Sequence, residues 1–468
     1  MSTRKNTLYN MAYRLFSVLL PLVTAPYLSR TVGAEGVGLY SYAWSISYIF
    51  VLVGMLGLND YGVRSIARVR DDREKLDHTF SAIWQMQLLS AGATLLVWFG
   101  YVFWVAGEEK PIALSLTMMS VSCLVNFDWC LMGLDQFRSI ALKNTFVKLA
   151  AAACVFLFVK RKEDLWIYGL VWSLSTLLGN LSCALSLRGR VTWRRVPLRE
   201  SLKHLGPCAL LFLSVIAVNV YRTMDKVMVT AIAGTAENGY YENAEKIIYC
   251  LSGFISAIGT VMMPKISHML ETGETAKVQK HIEKSMDGVM CMVCALAFGV
   301  AAVADRFAPL FYGEAFAFSG TLMAPLGFTL IMIGFANVIR TQVVLPQGRD
   351  LIFVRSVCAG AIVNLAVNAA LIPAMGSMGA VIGTLMAEMT VPVVQFLILR
   401  KELPYGTYLR SAAVYSVLGL LMLVCVRLAG NGLPFGGWPG LLLQVGTGAL
   451  VYGGLCLLWW KLTGRKWK

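Results

Sequence analysis

The feature that most constrains this chain is a series of apolar segments, each long enough to cross a lipid bilayer as a helix. A spanning helix needs about 20 mostly apolar residues. Because a bilayer core offers no water to backbone polar groups, helices satisfy those groups internally. The sequence therefore predicts an all-α polytopic membrane protein with about 14 transmembrane helices. The predicted spans are 8–28, 38–58, 81–106, 112–133, 140–159, 165–187, 205–232, 239–263, 285–304, 318–339, 351–373, 376–399, 409–429 and 437–460.

The overall composition argues against a soluble protein. Of 468 residues, 57% are hydrophobic and 14% are charged, whereas soluble domains carry about 25% charged residues. The net charge of +15 does not indicate nucleic-acid binding, because the basic residues concentrate in short connectors between apolar segments. We therefore expect membrane lipids, and no nucleic acid, around this chain.

The distribution of Lys and Arg predicts the orientation. The connectors 59–80 and 188–204 contain five and six basic residues, and each follows an even number of spans. By the positive-inside rule, both connectors and both termini are predicted to be cytoplasmic. The basic run 160–162 falls on the external side and disagrees with this rule. The first apolar segment lacks a cleavage site, so we expect it to be retained as a helix.

Cysteine and histidine give no sign of a metal or cofactor. Most of the 11 cysteines lie in apolar segments, and Cys291 and Cys294 form a CxxC surrounded by Met, Val and Ala. Such cysteines are typical of packing residues. The four histidines lie in polar connectors without metal-ligand spacing. There is no GxxxxGK[ST] loop, so we predict no cofactor and no direct use of ATP.

The second half of the chain repeats part of the first at an offset of 201 residues. Segment 33–43 aligns with 234–244, with Gly, Gly, Tyr and Ala in common. Both copies lie in the turn between the first two predicted spans of a half. Six spans separate them, so the copies share one orientation, which indicates parallel repeats with a cavity between the lobes.

Five motifs follow one another through most of the chain. They are Pro26-Tyr27-Leu28-Ser29-Arg30-Thr31-Val32-Gly33-Ala34-Glu35-Gly36; Asp128-Trp129 with Gly133-Leu134-Asp135-Gln136-Phe137 and Lys148; Tyr221 with Asp225-Lys226; Gly239-Tyr240-Tyr241 with Ala244-Glu245-Lys246-Ile247; and Asn364, Asn368, Ile372-Pro373, Gly379-Ala380 and Glu388. Their order resembles the Wzx-type polysaccharide flippases of the multidrug/oligosaccharidyl-lipid/polysaccharide exporter superfamily.

This resemblance implies both an architecture and a function. The expected architecture has two six-helix lobes, 1–190 and 205–400, joined by a basic linker, 191–204, with two additional C-terminal helices in 401–468. The expected function is export of an oligosaccharide linked to polyprenyl (undecaprenyl) pyrophosphate across a bacterial cytoplasmic membrane by alternating access. Such a protein is a transporter and not an enzyme, and polysaccharide-assembly proteins are potential partners.

Charged residues inside predicted spans require an explanation, because each costs on the order of 2.5–3.5 kcal/mol at a helix centre. The seventh and eighth spans each carry charges three and four residues apart, which places them on one helix face. The predicted substrate-binding residues are Arg14, Lys148, Arg222, Lys226 and Lys246. The predicted ion-coupling residues are Asp225, Glu242 and Glu245.

Two interpretations of these charges remain open. In the structural one, Asp225 pairs with Arg222 or Lys226, and Glu242 pairs with Lys246. In the functional one, the basic residues line a wet cavity that receives a pyrophosphate headgroup, since arginine and lysine are both suited to phosphate contact.

The energy source and the cargo also have alternatives. An anionic headgroup moving outward follows an inside-negative potential, and a proton or sodium ion is a candidate coupling ion. A peptidoglycan-precursor flippase has the same cationic requirement. A multidrug antiporter of the same superfamily prefers an acidic cavity. A membrane glycosyltransferase would ordinarily have a large external catalytic loop, which this sequence lacks.

Overall fold

A computed structural model describes the backbone of residues 3–432 and 436–464. Side chains are described within these ranges except at 3–19, 137–139, 213–215, 217–218, 220–222, 275–276 and 431–432. All the regular secondary structure of the described residues is helical, with no β-strand. The α-helices are α1 (Thr3–Met55), α2 (Leu58–Val69), α3 (Arg73–Trp104), α4 (Lys110–Ser122), α5 (Asp128–Gly133), α6 (Phe137–Phe158), α7 (Leu165–Ser186), α8 (Leu198–Leu202), α9 (Leu205–Ala233), α10 (Thr235–Glu271), α11 (Thr275–Tyr312), α12 (Ala317–Leu326), α13 (Thr329–Ile339), α14 (Asp350–Met375), α15 (Ser377–Leu399), α16 (Tyr405–Gly432) and α17 (Gly437–Leu462).

The predicted all-α membrane fold is confirmed. The first two predicted spans are the two halves of α1, the fourth combines α4 with α5, and the tenth combines α12 with α13 across a 41° bend. Among the described residues, 11 helices are long and apolar enough to cross a membrane, or 12 when the bent pair counts as one span. That count takes 20–69 as a single helix. The chain is a multi-pass membrane protein.

A glycine interrupts the helical path at the start of each copy of the internal repeat. Gly33 divides α1 with φ 71° and ψ −177°, and Gly234 precedes α10 with φ 99° and ψ 169°. Side chains other than glycine rarely adopt this combination of left-handed φ and extended ψ. The 201-residue repeat therefore extends from sequence identity to backbone geometry.

The repeated tyrosines also make comparable contacts. Tyr40 packs edge-to-face on Tyr168 of α7, with ring centroids 4.7 Å apart. The hydroxyl of its counterpart, Tyr241, lies 2.9 Å from the Thr384 hydroxyl of α15. Helices α7 and α15 contain the sixth and twelfth predicted spans, so each copy packs on the last span of its half.

The chain divides into two compact units, Met1–Ala231 and Ile232–Lys468. The division falls within α9, whereas the sequence analysis placed the lobe boundaries at 190 and 205. Those lobe boundaries stay a prediction. In the first unit, α2, α3 and α5 enclose a cluster of fully buried apolar side chains. These are Leu58, Ile66, Ile83 and Trp129.

The start of α9 packs directly on the turn between α1 and α2. Gly57 in that turn has φ 71°, and a Cβ placed there would lie 2.7 Å from Phe212 N and 2.8 Å from Cys208 O. Just before α9, His204 Nδ1 lies 2.6 Å from the Tyr61 hydroxyl. Burial lowers the pKa of His204 from its usual value, which favours the neutral imidazole.

In the second unit, α16 and α17 pack on α11 through a polar network. The carboxylate of Asp287 accepts hydrogen bonds from Ser411 Oγ at 2.8 Å and from Tyr415 Oη at 3.0 Å. Trp460 Nε1 donates to Tyr415 Oη at 3.0 Å. The two additional C-terminal helices are thus attached by hydrogen bonds as well as by apolar contact.

Candidate functional site

The most completely described group of predicted site residues lies on α10. Glu242 Oε1 and Lys246 Nζ are 3.2 Å apart, and their side chains are 16% and 22% exposed. The four-residue spacing brings them to the same helix face. Glu245 is half-buried on the same helix and has interaction partners of its own. The structure therefore shows a half-buried ion pair inside a candidate membrane span.

The charges predicted on the seventh span lie on α9. Asp225 is 1% exposed and Lys226 is partly buried, and both have interaction partners. The side chains of Arg222 and Tyr221 lie outside the described residues, as does that of Arg14 on α1. The substrate-binding role of Arg14, Arg222 and Lys226 and the ion-coupling role of Asp225 stay predictions.

Lys148 on α6 has a carboxylate neighbour from another helix. It is half-buried and interacts electrostatically with Asp128, the first residue of α5. The Cys183 thiol of α7 neighbours the same carboxylate. Asp128 Oδ1 is buried and has no hydrogen-bond partner. The first unit thus places a lysine within electrostatic reach of a carboxylate from another helix.

The fourth span is broken just before Asp128, which the sequence analysis missed. Gln87 of α3 donates from Nε2 to Cys123 O at 2.5 Å and to Asn126 O at 2.9 Å. Trp129 Nε1 donates to Gln87 Oε1 at 3.0 Å. These bonds satisfy carbonyls that a helix break leaves free, which a membrane-depth break requires. The polar residues Asn126 and Asp128 within an apolar segment were the available sequence signal.

Aromatic side chains of α1 and α10 differ in accessibility. Tyr241 is fully buried, and Tyr240 packs edge-to-face on Phe316 and Phe318. Trp44 and Tyr48 are half-buried and stack with ring centroids 4.9 Å apart and planes within 8°. Burial removes Tyr241 from contact with a cargo.

Arg340 lies at the end of the tenth predicted span and is held within the protein. It is half-buried, with its guanidinium 5.0 Å from the centroid of the Phe353 ring. It also begins a single π-helical turn, Arg340–Val344, closed by Leu345 N donating to Arg340 O at 2.9 Å. Such turns occur frequently at functional sites. Among the described side chains, no group of three His, Cys, Asp or Glu is arranged to hold a metal ion.

Comparison with known sequences gives a consistent picture. A family model described as "Polysaccharide biosynthesis protein" matches residues 3–270. The "Putative O-antigen transporter" of Escherichia coli (strain K12) is 24% identical over 409 residues, covering 86% of this chain and 98% of that protein. A protein of the same name from Shigella dysenteriae is 22% identical over 396 residues, covering 83% and 98%. The resemblance predicted from the sequence motifs is confirmed.

Comparison with solved structures concerns the fold. The lipid II flippase MurJ, in an inward closed conformation, superposes with a TM-score of 0.81 at 16% identity, covering 98% of this chain and 100% of that one. An inward-facing multidrug resistance MATE family transporter of the MOP superfamily superposes with a TM-score of 0.60 at 15% identity, covering 86% and 94%. At these identities the likeness supports the polytopic helical fold and says nothing about cargo.

Proposed function

Because this chain belongs to the family of polysaccharide biosynthesis proteins, we propose that it is a flippase for an oligosaccharide linked to polyprenyl pyrophosphate. It moves this lipid from the cytoplasmic to the external leaflet of a bacterial cytoplasmic membrane, with both of its own termini in the cytoplasm. The names of its curated relatives, which it matches over 98% of their length, support transport of a surface polysaccharide precursor. In this role it is a transporter and not an enzyme.

The observation that carries the proposal is the Lys246–Glu242 ion pair on α10, with a distance of 3.2 Å. A half-buried pair in a membrane span contributes little net stability, because desolvation of the two charges offsets their attraction. The pair does hold the Lys246 ammonium in place at membrane depth. An arriving pyrophosphate, with more charge than one carboxylate, competes with Glu242 for this ammonium.

Lys148 also has a carboxylate neighbour, since Asp128 interacts with it electrostatically. We propose that Lys226, Arg14 and Arg222 join Lys148 and Lys246 in a cationic cavity that receives the headgroup, while the polyprenyl tail remains in the bilayer. Resident carboxylates neutralise this cavity when it is empty. Cargo binding then exchanges one anion for another, which lowers the desolvation cost of binding.

Outward movement of the anionic headgroup follows the membrane potential, which contributes about 2.3 kcal/mol per charge per 100 mV. The two repeats alternate access to the cavity, and the interruptions at Gly33 and Gly234 provide backbone positions that absorb a change in helix direction. A proton or sodium ion exchanged through Asp225, Glu242 or Glu245 is a further contribution. Loss of transport when the pH gradient is dissipated at constant potential would support proton exchange.

The test is translocation of a fluorescent polyprenyl-pyrophosphate oligosaccharide in proteoliposomes. Lys246→Gln and Lys226→Gln are compared with Lys265→Gln, which changes an exposed lysine further along α10. We expect transport to fall by about tenfold or more in the first two variants, because a charge-assisted phosphate contact contributes about 1.5–3 kcal/mol. The control should transport like wild type. Equal transport in all three folded variants would remove these lysines from the cargo site.

The competing cargoes are tested in the same vesicles. A peptidoglycan-precursor lipid has the same pyrophosphate and differs in its sugar and peptide, so it separates headgroup recognition from saccharide recognition. Transport of that lipid alone would replace the proposed cargo and leave the cationic cavity in place. Efflux of a cationic drug without transport of either lipid would refute both.

A further inference from the structure

The segment that leads from α7 toward α8 is fastened to the start of α3. Arg73 donates from its guanidinium to Gly189 O at 3.2 Å, to Arg190 O, and to Thr192 Oγ1 at 3.2 Å. Thr192 N donates to Asp77 Oδ1 at 2.8 Å, and Asp77 is only 3% exposed. Arg194 N donates to Ser81 Oγ at 2.8 Å. The segment therefore has a defined path over the first two turns of α3.

Beside this segment is a cavity of about 440 Å³, here called the arginine cavity. Three arginines line it, Arg70, Arg73 and Arg190, and the aliphatic side chains of Leu76 and Leu134 form an apolar part of its wall. Its volume lies within the roughly 300–1,000 Å³ of small-molecule sites. Arginines beside an apolar wall suit a ligand that carries a phosphate on an apolar body.

The arginines differ in how far their charge is already neutralised. Arg70 pairs with Asp135 at 2.5 Å, and Arg73 Nε lies 3.4 Å from Asp77 Oδ1. For Arg190, which is exposed, no carboxylate of a described residue lies within 4 Å of the guanidinium. Asp71 also lines the cavity and opposes an anion there. The positive charge available to a ligand is therefore concentrated at Arg190, with remaining N–H donors on Arg70.

The depth of the arginine cavity follows from the helices that surround it. Its lining residues lie at the junction of α2 with α3, between α5 and α6, and just after α7. Helices α3, α6 and α7 are candidate spans, and α5 completes the span that begins with α4. Because the ends of spans lie at the membrane interface, the cavity lies at the depth of lipid headgroups.

We propose that the arginine cavity binds the phosphate headgroup of an anionic phospholipid. The phosphate lies against the guanidinium of Arg190 and the free N–H groups of Arg70, and the acyl chains leave along Leu134 into the bilayer. The bound headgroup braces the segment held by Arg73, which leads the chain toward α9. The site is separate from the charged residues of the proposed cargo cavity.

The test measures lipid binding to the purified full-length protein by native mass spectrometry, with phosphatidylglycerol titrated against phosphatidylcholine. Arg190→Gln is compared with Arg188→Gln, which removes the same charge from an exposed neighbour that does not line the cavity. We expect Arg190→Gln to weaken phosphatidylglycerol binding about tenfold, as loss of one charge-assisted contact implies. Arg188→Gln should bind like wild type.

Three outcomes would overturn the proposal. Equal weakening in the two variants would show diffuse surface charge and no site. Equal affinity for phosphatidylcholine would show that the headgroup charge is not recognised. Displacement of phosphatidylglycerol by millimolar glycerophosphate would assign the cavity to a free phosphate compound. Binding is measured without transport, so this result is independent of the proposed cargo.

Discussion

Three glycines allow the interruptions of α1 to be tested against an ordinary helical glycine. Gly33 has a left-handed φ, and a Cβ there would meet only Lys162 Cε at 4.0 Å. Gly57 has a left-handed φ and the backbone of α9 within 2.8 Å of the added Cβ. Gly92 lies inside α3 with nothing within 4 Å. Alanine at these three positions separates backbone strain from steric overlap.

The expected changes in the free energy of unfolding differ in sign and size. Gly92→Ala should stabilise by about 0.5–1 kcal/mol, because glycine loses more backbone entropy in a helix. Gly33→Ala should destabilise by about 1–3 kcal/mol, the cost of a φ/ψ combination that only glycine adopts readily. Gly57→Ala should destabilise by roughly 2–5 kcal/mol, since overlap with the α9 backbone adds about 1–3 kcal/mol to about 1–2 kcal/mol of left-handed strain.

The assay is reversible unfolding in mixed micelles, with sodium dodecyl sulfate as denaturant and far-ultraviolet circular dichroism as the signal. The order of stability should be Gly92→Ala, wild type, Gly33→Ala, Gly57→Ala. If Gly33→Ala stabilised the protein as Gly92→Ala does, α1 would be continuous through residue 33 and the reasoning would be wrong. Equal losses at Gly33 and Gly57 would refute the close approach of α9.

Three further predictions concern ion pairs. Lys246→Met should lower the free energy of unfolding by about 1–3 kcal/mol, which is less than the roughly 3–5 kcal/mol lost when a fully buried pair is broken. Adding Glu242→Gln to this variant should recover most of the loss. Additive losses in the same unfolding assay would contradict the pairing. Asp77→Ala removes the acceptor that holds the linker, so trypsin should cleave the linker about tenfold faster; an unchanged rate would contradict this. The ion pair with Arg349 holds the pKa of Glu402 below its usual 4.5, so its contribution is present above about pH 4.5 and is lost as pH falls through the lower folded pKa. Because both side chains are substantially exposed, that contribution is below about 1 kcal/mol. When the free energy of unfolding is measured between about pH 6 and 3, Arg349→Gln should lack this part of the acid dependence that wild type shows.

The sequence predicted the helical spans well because crossing a membrane is a requirement on local length and apolarity. It did not predict the interruption before Asp128, since residues 112–133 are apolar enough to be taken as one helix. The break depends on Gln87, which lies on another helix and satisfies the carbonyls that the break leaves free. Compensation of this kind links residues far apart in the chain, and no local pattern reports it.

The candidate site was predicted only in part. Spacing placed Glu242 and Lys246 on one helix face and left structural and functional interpretations open, and the structure shows the two side chains paired. It also gives Lys148 a neighbour, Asp128, that lies 20 positions earlier in the sequence and reaches it only through the packing of α5 on α6. The roles predicted for these charges stay predictions.

The sequence by itself determined the all-α membrane fold and the approximate bounds of its spans, the repeat at an offset of 201 residues, and the glycines at which the repeat turns. These follow from hydrophobicity, periodicity and the backbone freedom of glycine, all of which are properties of short segments. The tertiary structure alone decided which buried charges have neighbours, how the broken span is satisfied, and where the linker is held by Asp77. Those outcomes depend on side chains from different helices meeting in three dimensions, because at membrane depth polar groups must find partners within the protein.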